Sequence, residues 1–388
     1  MRVPLLDLTL QYAPLRDEIE QAMREVCDAQ QFVLGPRVAS LERQIAAYSH
    51  AAHGLGVSSG TDALLLALMA LDIGPGDEVV TTPYTFFATA GVVARVGARP
   101  VFCDIDERTF NLDPGAVSRF IDERCTETDD GLVDRGTGAR VKALMPVHLY
   151  GQTADLDRLM RIAERYGLAV VEDAAQAIGA DSPSGARAGS VGAVGCFSFF
   201  PTKNLGAFGD AGACVTSDAE LAERLRILRV HGGEPKYYHS VIGGNFRLDE
   251  LQAAVLIVKL AHLDAWTEAR RANAADYTRR LEAAGLLGLV VPPYVEPGGR
   301  HIFNQYVIRA ERRDELRAYL QTAGVGTEIY YPVPLHEQQC FAYLGYAADD
   351  LPHAHRAAQE TLALPVYPEL TAEQREHVVD SIARFYGV

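Results

Sequence analysis

Short apolar runs alternate with amphipathic helical patterns along much of the chain, and this alternation limits the possible folds more than any other feature. Residues 141–148 are predicted to form a strand, residues 153–166 a crossover helix and residues 167–173 the next strand. Strands joined in this way pair in parallel, with a right-handed connection. We therefore predict an α/β fold whose large domain is a sandwich of helices around a mostly parallel sheet.

The chain length and one long helical pattern suggest how this fold is divided. At 388 residues the chain exceeds a single compact core, so we expect two domains. Residues 248–284 contain neither proline nor glycine and are predicted to form one long helix that links them. We place the large domain at residues 1–249 and a smaller α+β domain, which includes the linking helix, at residues 250–388.

Residues 122–140 interrupt the alternation of strands and helices. This stretch is charged, contains glycine and is nearly free of large apolar side chains. We expect a solvated loop or a hairpin of low stability there, without a catalytic part.

Charge and cysteine usage argue against several classes of function. The formal net charge of −15 argues against nucleic acid or an anionic membrane surface as the main partner. The 6 cysteines form no CxxC pair and no cluster with histidine, so we expect reduced thiols and no metal site. The sequence has no signal-peptide pattern and no apolar run of bilayer length, which leads us to expect a cytoplasmic protein.

One lysine stands alone in an apolar stretch. Between residues 188 and 209, Lys203 is the only Lys, Arg, Asp or Glu, and its neighbours are mostly small or apolar. Such a lysine either extends to water at a surface turn or is buried with a lowered pKa. A buried neutral amine is a nucleophile, and pyridoxal 5′-phosphate (PLP) is the protein-bound aldehyde that most often meets one.

A second reactive group lies at the end of the strand predicted over residues 167–173. Ligands of open α/β sheets bind at the carboxyl ends of the strands, where Asp173 stands. Its carboxylate could pair with the pyridine nitrogen of PLP, and Gln176 could reach the same ring. A helix N-cap is the alternative role for Asp173, and the two roles are compatible.

Small polar residues precede a helical pattern near residue 60. The run over residues 58–62, Ser-Ser-Gly-Thr-Asp, leads from a short strand into a helix predicted over residues 62–71. Free backbone N–H groups and the helix dipole favour an anion there, although the run is also an ordinary capping sequence. With Asp173 and Lys203 it predicts a cofactor site that has a phosphate cradle.

The chain resembles the DegT/DnrJ/EryC1/StrS family of PLP-dependent sugar aminotransferases, which have fold-type I. The resemblance extends over almost the whole chain and is carried by residues 58–64, 82–89, 146–151, 172–176, 198–206, 244–248 and 330–336. It implies a large PLP-binding domain, a smaller C-terminal domain and a homodimer with shared active sites.

The resemblance also implies roles for individual residues. Lys203 would hold PLP as an imine (Schiff base) and then move protons as the general acid and base, while Asp173 pairs with the ring nitrogen. Phe86 would stack on the ring, and Asn245 would reach the phosphate bound by the neighbouring subunit. The predicted cofactor contacts are Gly60, Thr61, Asp62, Phe86, Asp173, Gln176, Ser198, Lys203 and Asn245.

The implied reaction moves an amino group, in most of the family from glutamate, to a keto sugar linked to a nucleotide. The cofactor would carry the amine as pyridoxamine 5′-phosphate. A 3-oxo sugar of the UDP-N-acetylglucosamine type is our first expectation, and a 4-keto-6-deoxy sugar is the alternative. A sugar dehydratase of the same family typically has histidine in place of Lys203, and a non-catalytic regulator is the rival from another class.

Several polar and aromatic side chains are predicted to contact the substrate. They are His148, His231, Tyr237, Tyr238, Asn245, Arg247, Tyr330 and His336. For His148, which lies at a predicted strand end, a structural role with hydrogen bonds inside the protein is an equal alternative. The loop over residues 231–239 suits a polar ligand with ring faces, and a flexible connector is the alternative.

Overall fold

The computed structural model describes residues 1–233, 235 and 237–388. Its strands are β1 His53–Val57, β2 Asp77–Thr81, β3 Arg99–Phe102, β4 Cys125–Thr128, β5 Gly131–Asp134, β6 Arg140–Met145, β7 Ala169–Asp173, β8 Val194–Ser198, β9 Gly212–Thr216, β10 Val290–Val291, β11 Tyr306–Ala310 and β12 Thr361–Leu364. Its helices are α1 Leu8–Tyr12, α2 Arg16–Ala29, α3 Pro36–Tyr48, α4 Gly60–Ala70, α5 Ala88–Arg95, α6 Pro114–Arg124, α7 Leu156–Tyr166, α8 Ala219–Arg229, α9 Glu250–Leu260, α10 Leu263–Ala283, α11 Arg313–Thr322, α12 Pro352–Glu360 and α13 Ala372–Tyr386.

A nine-stranded sheet forms the centre of the fold. Its main path runs β1-β9-β8-β7-β6-β2-β3, and the β4–β5 hairpin joins it through β6. Strands β3, β2, β6, β7 and β8 pair in parallel, whereas β9 is antiparallel to both β8 and β1. The predicted α/β class with a mostly parallel sheet is confirmed.

This topology brings several strand ends to one edge of the sheet. Asp173 ends β7 and pairs with Cys196, two residues before the end of β8. Because β9 is antiparallel to both β8 and β1, strands β1 and β8 run in the same direction. The carboxyl end of β1 therefore lies at the same edge. Helix α4 begins there at Gly60, close to Ser198.

The prediction of one long helix over residues 248–284 is wrong, because the structure has two helices there. Helices α9 and α10 are separated at Ala261 and His262. Helix α9 contributes Leu256 to a core of the large sheet, and Leu263 at the start of α10 belongs to the same core. Further along α10, Tyr277 belongs to the core around the second sheet. The helical pattern is interrupted at His262, where φ is −103° and ψ is −6°, without proline or glycine at the break.

A second, antiparallel sheet has the order β10-β11-β12. Its core contains Tyr306, Leu316 and Ile382, and Val3 joins it from the amino-terminal end of the chain. Because α9 packs with the large sheet and Val3 with the small one, the contacts cross the predicted boundary in both directions. The division of the chain at residue 250 stays a prediction.

The charged stretch over residues 122–140 forms the β4–β5 hairpin, one of its two predicted forms. The hairpin is not uniformly solvated, since Leu132 and Asp134 are buried. Asp134 accepts hydrogen bonds of 2.7 Å from Arg124 Nη2 and from the Gly136 N–H. Its carboxylate therefore ties the hairpin to the end of α6.

Candidate active site

Lys203 lies in the turn that follows β8, near the buried carboxylate of Asp173. The backbone N–H of Lys203 donates to the Phe200 carbonyl over 2.9 Å, which closes the turn. The side chain is half-buried, and this burial lowers the pKa of Lys203 to about 8, against the opposing effect of the Asp173 charge. A fraction of the amine is therefore uncharged near neutral pH, as a nucleophile requires.

Asp173 is 4% exposed and has two hydrogen-bond donors. Thr89 Oγ1 donates to Oδ2 over 2.7 Å, and the Ala175 N–H donates to Oδ1 over 3.2 Å. Burial raises the pKa of Asp173, while Thr89, Ala175 and the Lys203 charge act in the opposite direction. The carboxylate is thus fixed in a dry position where an N–H cation would be its natural partner.

His148 is fully buried, and its backbone N–H donates to the Asp173 carbonyl over 2.9 Å. Its Nδ1 accepts from the Ala154 N–H over 3.1 Å, so the proton resides on Nε2, which lies 2.8 Å from Glu172 Oε2. Glu172 also accepts from the N–H groups of Gly189, Val191 and Gly192. Because neither ring nitrogen is free for a sugar, the predicted substrate contact is corrected to the structural alternative.

The predicted phosphate cradle is the turn between β1 and α4. Ser59 caps α4, with its Oγ accepting from the Asp62 N–H over 3.0 Å. Helix geometry leaves the N–H groups of Gly60 and Thr61 without partners inside the helix. A Cβ on Gly60 would lie 2.6 Å from the Cβ of Ser198, so glycine allows the helix start to approach the end of β8.

Asp62 does not fit the phosphate contact predicted for it. Its N–H is used by Ser59, and its carboxylate accepts from Ser58 Oγ over 2.6 Å. A carboxylate would also repel a phosphate. Asp62 therefore shapes the turn, and the anion donors available at this turn are Gly60, Thr61 and Ser198.

Gln176 and Phe86 lie on either side of Tyr331, a residue that the sequence interpretation did not select. Gln176 Oε1 accepts from the Tyr150 N–H over 2.7 Å, and Nε2 lies 3.1 Å from the Tyr331 hydroxyl. The Phe86 ring is 58% exposed, and its centroid is 6.2 Å from that of Tyr331. An exposed aromatic face at the site suits a planar ligand.

The segment over residues 244–247 passes beside the phosphate turn. The Phe246 carbonyl accepts from the Ser58 N–H over 3.0 Å, and Arg247 forms a backbone bridge with Val57. Asn245 is exposed and forms a backbone bridge with Val230.

The loop that precedes this segment is described in part. The His231 N–H donates to the Gly244 carbonyl over 2.9 Å, whereas Tyr237 and Tyr238 are exposed at the surface. Residues 234 and 236, which belong to the loop predicted to bind substrate, lie outside the described residues.

Tyr330 and His336 differ in solvent exposure. Tyr330 is half-buried, and its carbonyl accepts from Tyr84 Oη over 2.8 Å. His336 is 2% exposed, and its Nε2 lies 3.5 Å from Glu337 Oε1. The ring is closed off from a bound sugar, which corrects the substrate contact predicted for it.

Thr89, Glu172 and Tyr331 are the residues that the sequence interpretation left without a role in the site. A signal existed for Thr89, because Thr85 and Thr89 are spaced by one helical turn after a predicted strand, and their hydroxyls are 3.0 Å apart. The tyrosine doublet was noticed, but Tyr331 and not Tyr330 directs its hydroxyl to Gln176. Neither a group of residues suited to a metal ion nor a helix able to cross a membrane occurs within residues 1–233, 235 and 237–388.

Comparison with known proteins agrees with this arrangement. The model of the DegT/DnrJ/EryC1/StrS aminotransferase family matches residues 14–383. A pleiotropic regulatory protein of Geobacillus stearothermophilus is 53% identical over 386 residues, covering 100% of this chain and 99% of its own. A UDP-N-acetyl-3-dehydro-α-D-glucosamine 3-aminotransferase of Acidithiobacillus ferrooxidans is 44% identical over 383 residues, covering 98% and 97%.

The solved structures give the same result. The crystal structure of S. venezuelae DesV in complex with a ketimine intermediate has a TM-score of 0.91 and 44% sequence identity, covering 99% of this chain and 98% of that one. The site geometry, the family model and the overall fold therefore lead to one assignment, which the sequence motifs had predicted. The chain belongs to the DegT/DnrJ/EryC1/StrS aminotransferase family.

Proposed function

We propose that this aminotransferase uses PLP to move an amino group from glutamate to a nucleotide-linked sugar with a 3-oxo group, of the UDP-N-acetylglucosamine type. The observation that carries the proposal is that Lys203, whose pKa burial lowers to about 8, lies close enough to the buried carboxylate of Asp173 for the two charges to interact. The named substrate of the Acidithiobacillus relative supports the choice of a 3-oxo sugar.

The residues of the site fit PLP at both of its polar ends. The free N–H groups of Gly60 and Thr61, with the Ser198 hydroxyl, suit its phosphate, because Gly60 has no side chain to fill that space. Asp173 suits the pyridinium nitrogen, and the exposed ring of Phe86 suits the face of the cofactor. When bound, PLP supplies an electron sink and a carrier for the amino group.

The chain's own groups perform the remaining steps. Lys203 would hold the cofactor through its amine, and when that amine is free it would take up and return a proton as general base and general acid. Asp173 would favour a protonated ring nitrogen by pairing with it, and Thr89 holds this carboxylate in place. Tyr237, Tyr238, Arg247, His231 and Tyr330 are the proposed substrate contacts.

We propose a homodimer in which Asn245 of one subunit serves the phosphate site of the other. Exposed apolar side chains occur near the segment that carries Asn245 in sequence or in space, with Phe32 41%, Val33 50% and Ile242 92% exposed. Val33 forms a backbone bridge with Asp249, so Phe32 and Val33 lie beside the end of this segment, and Ile242 lies three residues before Asn245. Apolar surface of this kind supports contact with a second copy of the chain.

The test is turnover with defined acceptors. We expect the PLP-loaded protein to convert glutamate to 2-oxoglutarate when a nucleotide 3-keto sugar is present, and to leave an amino group on the sugar. Faster turnover with 4-keto-6-deoxy sugars would show that a sugar of that class, and not a 3-oxo sugar, is the acceptor. Loss of a hydroxyl without gain of nitrogen would indicate a dehydratase and contradict amino transfer.

A regulatory role is the second candidate, favoured by the printed name of the 53% identical relative. A regulator would not need a lysine with a lowered pKa beside a buried carboxylate, and both are present here. Absence of turnover with every donor and acceptor, together with retained binding of a nucleotide sugar, would favour this candidate.

A further inference from the structure

We propose that Tyr331 is a positioning residue for Gln176, and that through Gln176 it orients the cofactor. This inference rests on the proposed function, because it concerns how the chain holds PLP. Tyr331 touches two side chains that are predicted to meet the cofactor, since it lies next to both Gln176 and Phe86.

The orientation of the Gln176 amide follows from its partners. A backbone N–H can only donate, so the Gln176 atom 2.7 Å from the Tyr150 N–H is the carbonyl oxygen Oε1. The amide nitrogen Nε2 therefore faces the Tyr331 hydroxyl, 3.1 Å away. One of its two hydrogens is used there, and the hydrogen bonds found among the described residues leave the second as a donor on a side chain that is 7% exposed.

The position of Tyr331 is itself fixed by a cluster of hydroxyl groups. Its backbone N–H donates to Tyr84 Oη over 3.2 Å. The carbonyl of the preceding residue, Tyr330, accepts from Tyr84 Oη over 2.8 Å and from Tyr150 Oη. Tyr84 Oη also lies 2.7 Å from Thr361 Oγ1, at the start of β12. Tyr331 is thereby bonded to Tyr84, in the segment that follows β2, and through Tyr84 it is linked to β12.

The free N–H of Gln176 suits the phenolate oxygen of PLP, which neighbours the aldehyde carbon that Lys203 would hold. A donor aimed at this oxygen draws electron density from it. It thereby disfavours positive charge on the nearby nitrogen by which Lys203 would be attached to the cofactor. A firmly held donor thus lowers the pKa of that nitrogen, and a loose one lets the pKa rise. Tyr331 would keep the donor aimed by occupying the other hydrogen of the amide.

The test compares Tyr331→Phe with the unchanged full-length protein after both are loaded with PLP. The variant keeps the ring and removes the hydroxyl. We expect the midpoint of the visible absorbance change with pH to rise by about half a unit to one unit, and the Kd for PLP to rise about threefold to tenfold. Tyr346→Phe is the matched control, because its hydroxyl is bonded only to the backbone of Phe102 among the described residues and should leave both quantities unchanged.

A double-mutant cycle with Gln176→Ala separates positioning from a general structural effect. If Tyr331 acts through Gln176, Tyr331→Phe adds no further shift in a Gln176→Ala background. A full shift in that background would overturn the proposal, as would an unchanged midpoint in Tyr331→Phe. Gln176→Glu keeps an acceptor for the Tyr150 N–H but has no N–H to donate, so we expect it to raise the midpoint as well.

The outcomes separate this inference from the proposed function. Failure of the unchanged protein to bind PLP or to change its visible absorbance would refute the cofactor assignment. Normal PLP binding by the unchanged protein, with no shift in Tyr331→Phe, would refute the role of Tyr331 alone.

Discussion

Thr89 Oγ1 donates a 2.7 Å hydrogen bond to Asp173 Oδ2, which joins the first turn of α5 to the carboxyl end of β7. Burial raises the pKa of Asp173, so the carboxylate depends on hydrogen-bond donors such as Thr89 to stay ionised. We expect Thr89→Val to weaken PLP binding about 10-fold, in line with the loss of a hydrogen bond to a charged group. Thr89→Ser keeps the hydroxyl and should restore binding. The measurement is the Kd for PLP, and equal values for Thr89→Val and the unchanged protein would leave Thr89 a packing role only.

Among the lysines that the structure describes, Lys203 and Lys259 have a lowered pKa, and they differ in access. Burial lowers the pKa of both Lys203 and Lys259 to about 8. Lys259 is only 5% exposed and its Nζ donates to the Gly206 carbonyl, whereas Lys203 is half-buried beside Asp173. We expect borohydride reduction of the PLP-loaded protein to label Lys203, and peptide mass spectrometry to find Lys259 unmodified. Label on Lys259 alone would show that the nucleophile has been assigned to the wrong residue.

The stability of the protein without cofactor should depend on pH through Lys203. Its pKa is about 8 in the folded chain, below the ordinary value of 10.5. Between these values the unfolded chain binds more protons, so this group makes the folded state more stable as the pH rises. Below about pH 8 the lysine is charged in both states, and the cost of burying its charge is fully present.

We therefore expect Lys203→Met to resist urea better than the unchanged protein at about pH 7, and to lose part of that advantage by about pH 10. Urea unfolding followed by circular dichroism at both pH values measures this difference. An advantage that grows with pH would mean that the lysine is not buried in its charged form.

Shared active sites can be detected by mixing two defective subunits. Lys203→Ala removes the nucleophile, and Asn245→Asp places a negative charge where a phosphate is expected. If Asn245 serves the neighbouring subunit, a mixed dimer contains an intact site and should have about half of the unchanged activity.

If Asn245 serves its own chain, the mixed dimer has no intact site and should be as inactive as its parents. Co-expression with two different affinity tags isolates the mixed dimer for the assay. The two parent dimers, purified in the same way, are the controls.

The parts of the site that the sequence predicted well are those set by local pattern. Asp173 follows a continuous apolar run, and Lys203 follows another, so their places at strand ends were readable from the chain. The cap at Ser59 was readable for the same reason, because a helix start is determined by its neighbours in sequence.

The parts that were missed depend on contacts between distant segments. The pattern over residues 248–284 has no helix breaker, yet the chain is divided at His262, and its contacts pass from a core of the large sheet at Leu256 and Leu263 to the core of the second sheet at Tyr277. The bond between Gln176 and Tyr331 joins residues 155 positions apart. His148 was ambiguous until Glu172 and the Ala154 N–H were seen to occupy both nitrogens. No local pattern encodes these pairs.

The β4–β5 hairpin meets the large sheet at Arg140, the first residue of β6, whereas Met145 at the other end of that strand faces the edge that carries Asp173. The hairpin therefore joins the sheet at the end of β6 that lies away from Asp173, and its tip over residues 127–130 is exposed. A fluorophore, an affinity handle or a surface tether attached at the tip would leave the reacting groups untouched. The hairpin is accordingly the place to immobilise or label the enzyme when its turnover is to be followed.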